Sequence, residues 1–164
     1  MEKINCMLTL PYPSMDGIEK DVRLGMLLYE AYTGKIGALS AVSDYVYQCI
    51  TNKEISPAIS DLFECFALTK MKHFKIIGEM MLKLGVDPQI KAQTKSFRNK
   101  SSENTLNLLI EQIKNNIRIE QASIDYYKKI IIHTHNKTVI CILNRFILDN
   151  DHHISILNQI IEEL

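Results

Sequence analysis

A chain of 164 residues is long enough for one hydrophobic core and too short for two ordinary domains. Nineteen Lys and Arg balance nineteen Asp and Glu, which argues against binding nucleic acid or an anionic membrane surface by bulk charge. With 46% hydrophobic residues but only six Gly, four Pro and no Trp, the chain does not read as a turn-dense all-β protein and reads instead as helical. No stretch approaches the ~18 apolar residues of a membrane span, and Met1 to Pro13 has Glu2 and Lys3 but no long apolar run, so the expected location is the cytoplasm. Cys6, Cys49, Cys65 and Cys141 lack the C-x-x-C spacing of a zinc ribbon or a rubredoxin-type iron site. They are expected to be reduced, mostly buried thiols.

Residues 1–15 end in Pro11-Tyr12-Pro13, which fixes an extended arm. Ser14 or Asp16 then caps a short helix over about 17–33 through Val22, Leu24, Leu27 and Leu28, and Thr33-Gly34 interrupts it. A second helix over about 35–51 keeps Ala38, Ala41, Val42, Tyr45 and Cys49 on one face. Ser56-Pro57 supplies an N-cap followed by Pro at the first helical position, and Gly85 with Pro88 closes that helix, giving 57–84. Periodicity disappears from Val86 to Ser101, where Lys91, Lys95, Arg98 and Lys100 make a long basic connection. Helices over about 102–133 and 137–163 complete the chain, separated by a short turn at His135-Asn136. The loop order is short, long, short. The long middle connection lets the third bundle helix start at the far end of an antiparallel four-helix bundle.

The three long helices carry apolar stripes at three-four spacing, and polar residues break each stripe near its middle. Lys70 and His73 interrupt the first, Glu120 the second, and Asn150 and His153 the third. These positions fall at similar heights, so the sequence predicts one central polar layer. Charges inside such a core cost several kcal/mol unless paired or bound to metal. A weak internal repeat accompanies the layer. Ala38 precedes Tyr45 by seven residues, Glu120 precedes Tyr127 by seven, and each tyrosine is followed 28 or 26 residues later by His73 or His153.

Over about Tyr29 to Glu163 these residues resemble the ferritin-like superfamily of di-iron carboxylate proteins, most closely small bacterial rubrerythrin-like domains. The segment Ala38 to Tyr45 is similar to the family's first motif, in which a ligand Glu precedes a Tyr by seven; Ala38 stands at the Glu position. Lys70-Met71-Lys72-His73 resembles a Glu-x-x-His ligand pair, with Lys70 at the bridging Glu. Glu120 to Tyr127 matches the third motif, and Asn150-Asp151-His152-His153 the second Glu-x-x-His, with Asn150 in place of Glu. The resemblance implies a ferritin-like bundle in which one of four ligand glutamates remains. Two divalent irons would bring four positive charges against that single carboxylate, with Lys70 adding another. An ion pair between Lys70 and Glu120 standing where metal would have been is therefore the preferred expectation. Asp149 and His152 offer a one-residue shift of the acidic-x-x-His pattern, but about 100° of rotation moves both off the stripe of Phe146, Asn150, His153 and Leu157.

The preferred reading takes His73 and His153 as core histidines hydrogen-bonded to Glu120, Asn150 or the tyrosines, with Tyr45 and Tyr127 as hydrogen-bond partners or filling. No cofactor is then expected. The competing reading keeps one iron, manganese or zinc ion at His73, Glu120 and His153, a two-His-one-carboxylate set, in an oxidoreductase handling peroxide, oxygen or iron. A third reading makes Lys70 a nucleophile or base. The expected partners are a second copy of the chain or another protein. Nucleic acid and membrane are not expected.

Overall fold

The computed structural model describes residues 5–90 and 105–164. Its helices are α1 (Val22–Thr33), α2 (Ala38–Asn52), α3 (Pro57–Leu84), α4 (Leu106–His133) and α5 (Lys137–Glu163), with no strand among the described residues. The basic connection Lys91 to Lys100 and the expected helix start at Ser101 or Ser102 lie outside the described residues.

The bundle has four columns, one of them broken. α1 and α2 follow each other along α3, with α1 near the C-terminal end of α3, where Asp21 N–H donates to Leu84 O at 3.1 Å, and α2 beside its N-terminal half. Their 12 and 15 residues together match the 28, 28 and 27 residues of α3, α4 and α5. The break is made by glycine. Gly34 N–H donates to Glu30 O at 2.9 Å and Gly37 N–H to Gly34 O at 2.9 Å. A Cβ on Gly37 would come within 2.7 Å of Glu30 O, so the turn has no room for a side chain there.

α1 begins later than the expected 17. Asp21, not Ser14 or Asp16, caps it by accepting from Leu24 N–H at 3.0 Å, while the Ser14 hydroxyl turns to the Asp16 carboxylate. α2 likewise begins at Ala38 instead of 35, once the Gly34–Gly37 turn is complete. α3 starts with Pro57 in its first turn and ends at Gly85 in the left-handed region at φ 89°, whose N–H closes on Leu82 O; the Ser56 hydroxyl makes no capping bond.

The N-terminal arm runs the length of α5 in the direction opposite to it. His152 Nε2–H donates to Asn5 O at 2.7 Å, Arg145 Nη2–H to Leu10 O at 2.9 Å, and the Thr138 hydroxyl to Asp16 O at 2.6 Å. A disulfide between Cys6 and Cys65, Cα atoms 6.3 Å apart, fastens the same arm to α3. The expectation of four reduced thiols is corrected here. Spacing along the chain tests for local metal sites, whereas this pair, 59 residues apart, meets only because the arm folds back. Cys141 is exposed, not buried, and Cys49 is half-buried. No described helix is long and apolar enough to cross a membrane.

Candidate functional site

Two apolar clusters fill the bundle. One gathers Leu24, Leu28, Ala38, Ile77, Met80, Ile124, Ile142 and Phe146; the other gathers Tyr45, Ile59, Phe63, Phe66, Ile113, Ile156 and Leu157. Along α3 the chain passes from Phe66 to Ile77, along α4 from Ile113 to Ile124, and along α5 from Phe146 to Ile156. In each gap sit the residues that interrupt the stripes: Lys70 and His73, Glu120, Asn150 and His153, all 3% exposed or less. Helical periodicity directs them inward as firmly as it directs their apolar neighbours.

Glu120 is the hub. Its Oε2 accepts from Lys70 Nζ at 2.5 Å, and its Oε1 accepts from the Tyr45 hydroxyl at 2.7 Å and from His153 Nδ1–H at 3.2 Å. Lys70 Nζ also donates to Asn150 Oδ1 at 2.7 Å. α2, α3, α4 and α5 are thus tied together at one level. Phe66 stacks on the His153 ring at 4.0 Å, and Tyr45 meets the edge of Phe66 at 5.5 Å, which closes the layer on its lower side. Tyr127 is buried against Phe146 at 5.7 Å, and Ala38 lies in the upper apolar cluster.

His73 turns away from Glu120. Its Nε2–H donates to Asp149 Oδ2 at 2.9 Å, and its ring stacks on Phe146 at 4.1 Å. Asp149 also accepts from the Tyr12 hydroxyl at 2.7 Å and pairs with Arg145 at 2.5 Å, while the Arg145 guanidinium lies 4.5 Å above the Tyr12 ring. Rotation off the central stripe was expected to carry Asp149 and His152 away from the core. Asp149 is instead 2% exposed, because the arm covers that flank of α5 and makes it an interior surface; His152 is half-buried on Asn5 O. Tyr12, Arg145 and Asp149 were missed as site residues. The signal was Tyr12 between two prolines, an aromatic held on a rigid arm.

A second missed feature continues the layer toward the α2 C-terminus. Gln48 and Asn116 exchange amide bonds at 3.0 and 2.6 Å, and Asn52 Nδ2 donates to Gln112 Oε1 at 2.8 Å. Gln112, Asn116 and Glu120 are spaced by four on α4, a helical ladder readable in the sequence.

Burial opposes the charge on Glu120, but the Lys70 ammonium and the His153 hydrogen bond outweigh it and hold its pKa down at about 2. For Asp149 too, burial is overridden, by the hydrogen bonds from His73 and Arg145, and its carboxyl stays well below the usual range. Burial pulls His73 down to about 4 against the pull of Asp149, and lowers His153 as well. His73 is therefore a neutral imidazole donating to a carboxylate at pH 7, not half of an ion pair. Burial, then Glu120, raises Tyr45 well above its ordinary value, so it donates as a phenol.

The linkage has a definite sign. Between pH 6.5 and about 4 the unfolded chain binds a proton on His73 that the folded chain refuses, so stability falls as pH falls. About 3 kcal/mol is expected to be lost across that window from this one group. Glu120 adds a further loss as pH drops from its unfolded value through about 2. Urea midpoints at pH 7 and pH 4.5 should show the decline, and His73→Gln should flatten it.

Two buried polar atoms in the layer have no hydrogen-bond partner: His73 Nδ1 and Asn150 Nδ2. The first is a free lone pair on a histidine whose other nitrogen is anchored to a carboxylate, an arrangement common among metal-ligating histidines. Lys70 Nζ already occupies Glu120 Oε2 and Asn150 Oδ1, and among the described residues no group of three or more His, Cys, Asp or Glu is placed to hold a metal ion.

No family model matches the chain, and no curated protein matches it in sequence. Solved structures do match in fold. KatB, a manganese catalase from Anabaena, superposes with a TM-score of 0.73 at 17% identity over 96% of this chain and 80% of its own. BfrA, a bacterioferritin from Mycobacterium tuberculosis, gives 0.70 at 20% identity over 88% of this chain and 87% of its own. The Desulfovibrio desulfuricans bacterioferritin, described with a diiron site, gives 0.69 at 15% identity over 85% and 78%. Built of α1–α2, α3, α4 and α5 around a buried polar layer, this chain has the ferritin-like fold that manganese catalase and bacterioferritin share.

Proposed function

We propose that this protein is a ferritin-like bundle whose ancestral di-iron site is degenerate, with the Lys70 ammonium in place of metal, and that it serves without catalysis as a scaffold. One observation carries the reading: Lys70 Nζ bridges Glu120 Oε2 at 2.5 Å and Asn150 Oδ1 at 2.7 Å in a layer closed to solvent. A cation so placed neutralises the only carboxylate among the four bridging and terminal positions that Ala38, Lys70, Glu120 and Asn150 occupy. It also repels a second cation at the same height, since like charges a few ångströms apart in a dry core are strongly unfavourable.

A scaffold acts through its surface. Val22, Met26 and Tyr29 along α1 and Val46, Tyr47 and Ile50 along α2 are large apolar side chains left exposed, which supports association with a second copy or another protein. The Cys6–Cys65 bond favours an oxidising compartment over the reducing cytoplasm expected from the sequence.

Restoring the carboxylates tests the register. The triple variant Ala38→Glu, Lys70→Glu, Asn150→Glu is expected to bind close to two ferrous ions per chain in an anaerobic titration, where the unaltered chain binds none. No gain in the triple variant, with helicity intact by circular dichroism, would show that these positions do not face a common site.

The unpartnered Nδ1 of His73 favours a second reading, in which one divalent ion is held by His73, Glu120 and His153 in an oxidoreductase acting on peroxide, oxygen or iron. It requires Lys70 to leave Glu120. Stoichiometric metal in the purified protein would establish it in place of the scaffold.

A further inference from the structure

We propose that Lys70 and Asn150 condense into an intramolecular isopeptide bond that covalently joins α3 to α5, with Glu120 as the proton carrier. The inference deepens the metal-free reading of the polar layer and rests on it, because a metal bound to Glu120 would displace the amine; the Lys70–Glu120 ion pair is the state before condensation, and the stability effects expected of Lys70 and Glu120 variants are those of the uncondensed chain.

Three groups of the needed chemistry meet in one dry place. Lys70 supplies an amine, Asn150 a carboxamide and Glu120 a carboxylate, at 3%, 0% and 1% exposure. The amine nitrogen lies 2.7 Å from Asn150 Oδ1; adding the ~1.2 Å carbonyl bond bounds its distance from the carbonyl carbon at ~3.9 Å, so an approach of about half an ångström at most brings it to the ~3–3.5 Å of a near-attack pair. The same nitrogen is 2.5 Å from Glu120 Oε2, so the acceptor of its proton is already in contact. Asn150 Nδ2 has no hydrogen-bond partner, which leaves the departing nitrogen unheld. Packing fixes all three on rigid helices, between Phe66 stacked on His153 and Phe146 stacked on His73. Water, the competing nucleophile, is kept out.

The atoms balance without a co-reactant. Lys70 passes one proton to Glu120, and the free amine attacks Asn150 Cγ to give a tetrahedral adduct. Glu120 returns that proton to Nδ2 of the adduct and takes a second one from the former ammonium nitrogen. The Cγ–Nδ2 bond then breaks and ammonia departs, leaving a secondary amide between Lys70 Nζ and Asn150 Cγ. Glu120 keeps the remaining proton. No charge is created in the core, because the ion pair is consumed as the neutral amide and neutral carboxylic acid form. No oxidation or reduction occurs.

The observation that Lys70, Asn150 and Glu120 form a contiguous buried amine–carboxamide–carboxylate set has a direct readout. Full-length protein, with the Cys6–Cys65 disulfide reduced, is weighed intact by mass spectrometry, digested with trypsin and assayed for metal from the same preparation. A mass lower by one ammonia than the sequence requires is expected, together with a branched peptide joining residues 54–72, uncut at Lys70, to residues 146–164. In the Glu120→Gln variant the branched peptide is expected to vanish. Full mass with Lys70 and Asn150 recovered in separate linear peptides would overturn the bond. Loss of ammonia confined to a linear peptide containing Asn150 would overturn it as well, marking a cyclic imide. Metal-free protein of full mass would remove only the covalent bond and leave the ion pair standing, whereas full mass with stoichiometric metal would remove both.

Discussion

Replacing Lys70 by Met is expected to destabilise the fold by about 3–5 kcal/mol, the cost of leaving a buried carboxylate without its cation. Met fills nearly the same volume, so little of the loss can be assigned to a cavity. Glu120 keeps Tyr45 and His153 as donors, but neither carries a charge at pH 7. Its carboxyl should consequently take up a proton at a higher pH in the variant. The double variant Lys70→Met, Glu120→Met removes both charges and should recover most of the loss, because a buried pair is costly mainly when half of it is deleted. Urea unfolding of the two variants decides the matter. A single variant within about 0.5 kcal/mol of the parent, the range of neutral surface changes, would mean that Lys70 and Glu120 are not paired.

The second large effect is expected at Asp149. Its carboxylate gathers Tyr12, His73 and Arg145 from the arm, α3 and α5, so Asp149→Ala strips three partners at once and strands a guanidinium that is 5% exposed. A loss of about 3–5 kcal/mol is expected, together with faster hydrogen exchange along the arm, which Arg145 and Tyr12 hold in place. Asp151→Ala, two residues on and exposed, serves as the control and should stay within about 0.5 kcal/mol. Equal effects in the two variants would show that the arm is fastened without Asp149.

The two positions explain what the sequence could and could not disclose. Lys70, Glu120, Asn150 and His153 were readable because a helix converts spacing into direction: a polar residue on an apolar stripe must face the core, and residues at the middles of antiparallel helices must share a level. Asp149 was not readable by that rule. It lies off the stripe, and its burial depends on an arm with no periodicity, which approaches α5 from more than 130 residues away in the chain. The Cys6–Cys65 pair escaped for the same reason. Position of the polar layer follows from local periodicity, whereas the partner of each group depends on tertiary contacts. His73 illustrates the difference, because it faces inward as expected yet gives its proton to Asp149, not to Glu120. Gln48, Asn52, Gln112 and Asn116 were readable in principle, since their spacing of three or four residues aligns them with Tyr45 and Glu120.

The interruption of the first column is a case where composition and structure agree in kind and differ in consequence. Glycines near 34 mark a break, but the two pieces remain in line along α3, so α1 completes the bundle instead of preceding it. Ala38 then sits at the start of α2, buried in the upper apolar cluster with Ile77 and Ile124.

Elemental analysis of untagged protein, purified from cells supplied with iron and manganese, tests the central claim most directly. Metal well below one ion per chain, unchanged in Glu120→Ala, is the predicted result, since the Lys70 ammonium already occupies Glu120 Oε2. Near-stoichiometric iron, manganese or zinc that disappears in Glu120→Ala would contradict it and establish a working metal site at Glu120.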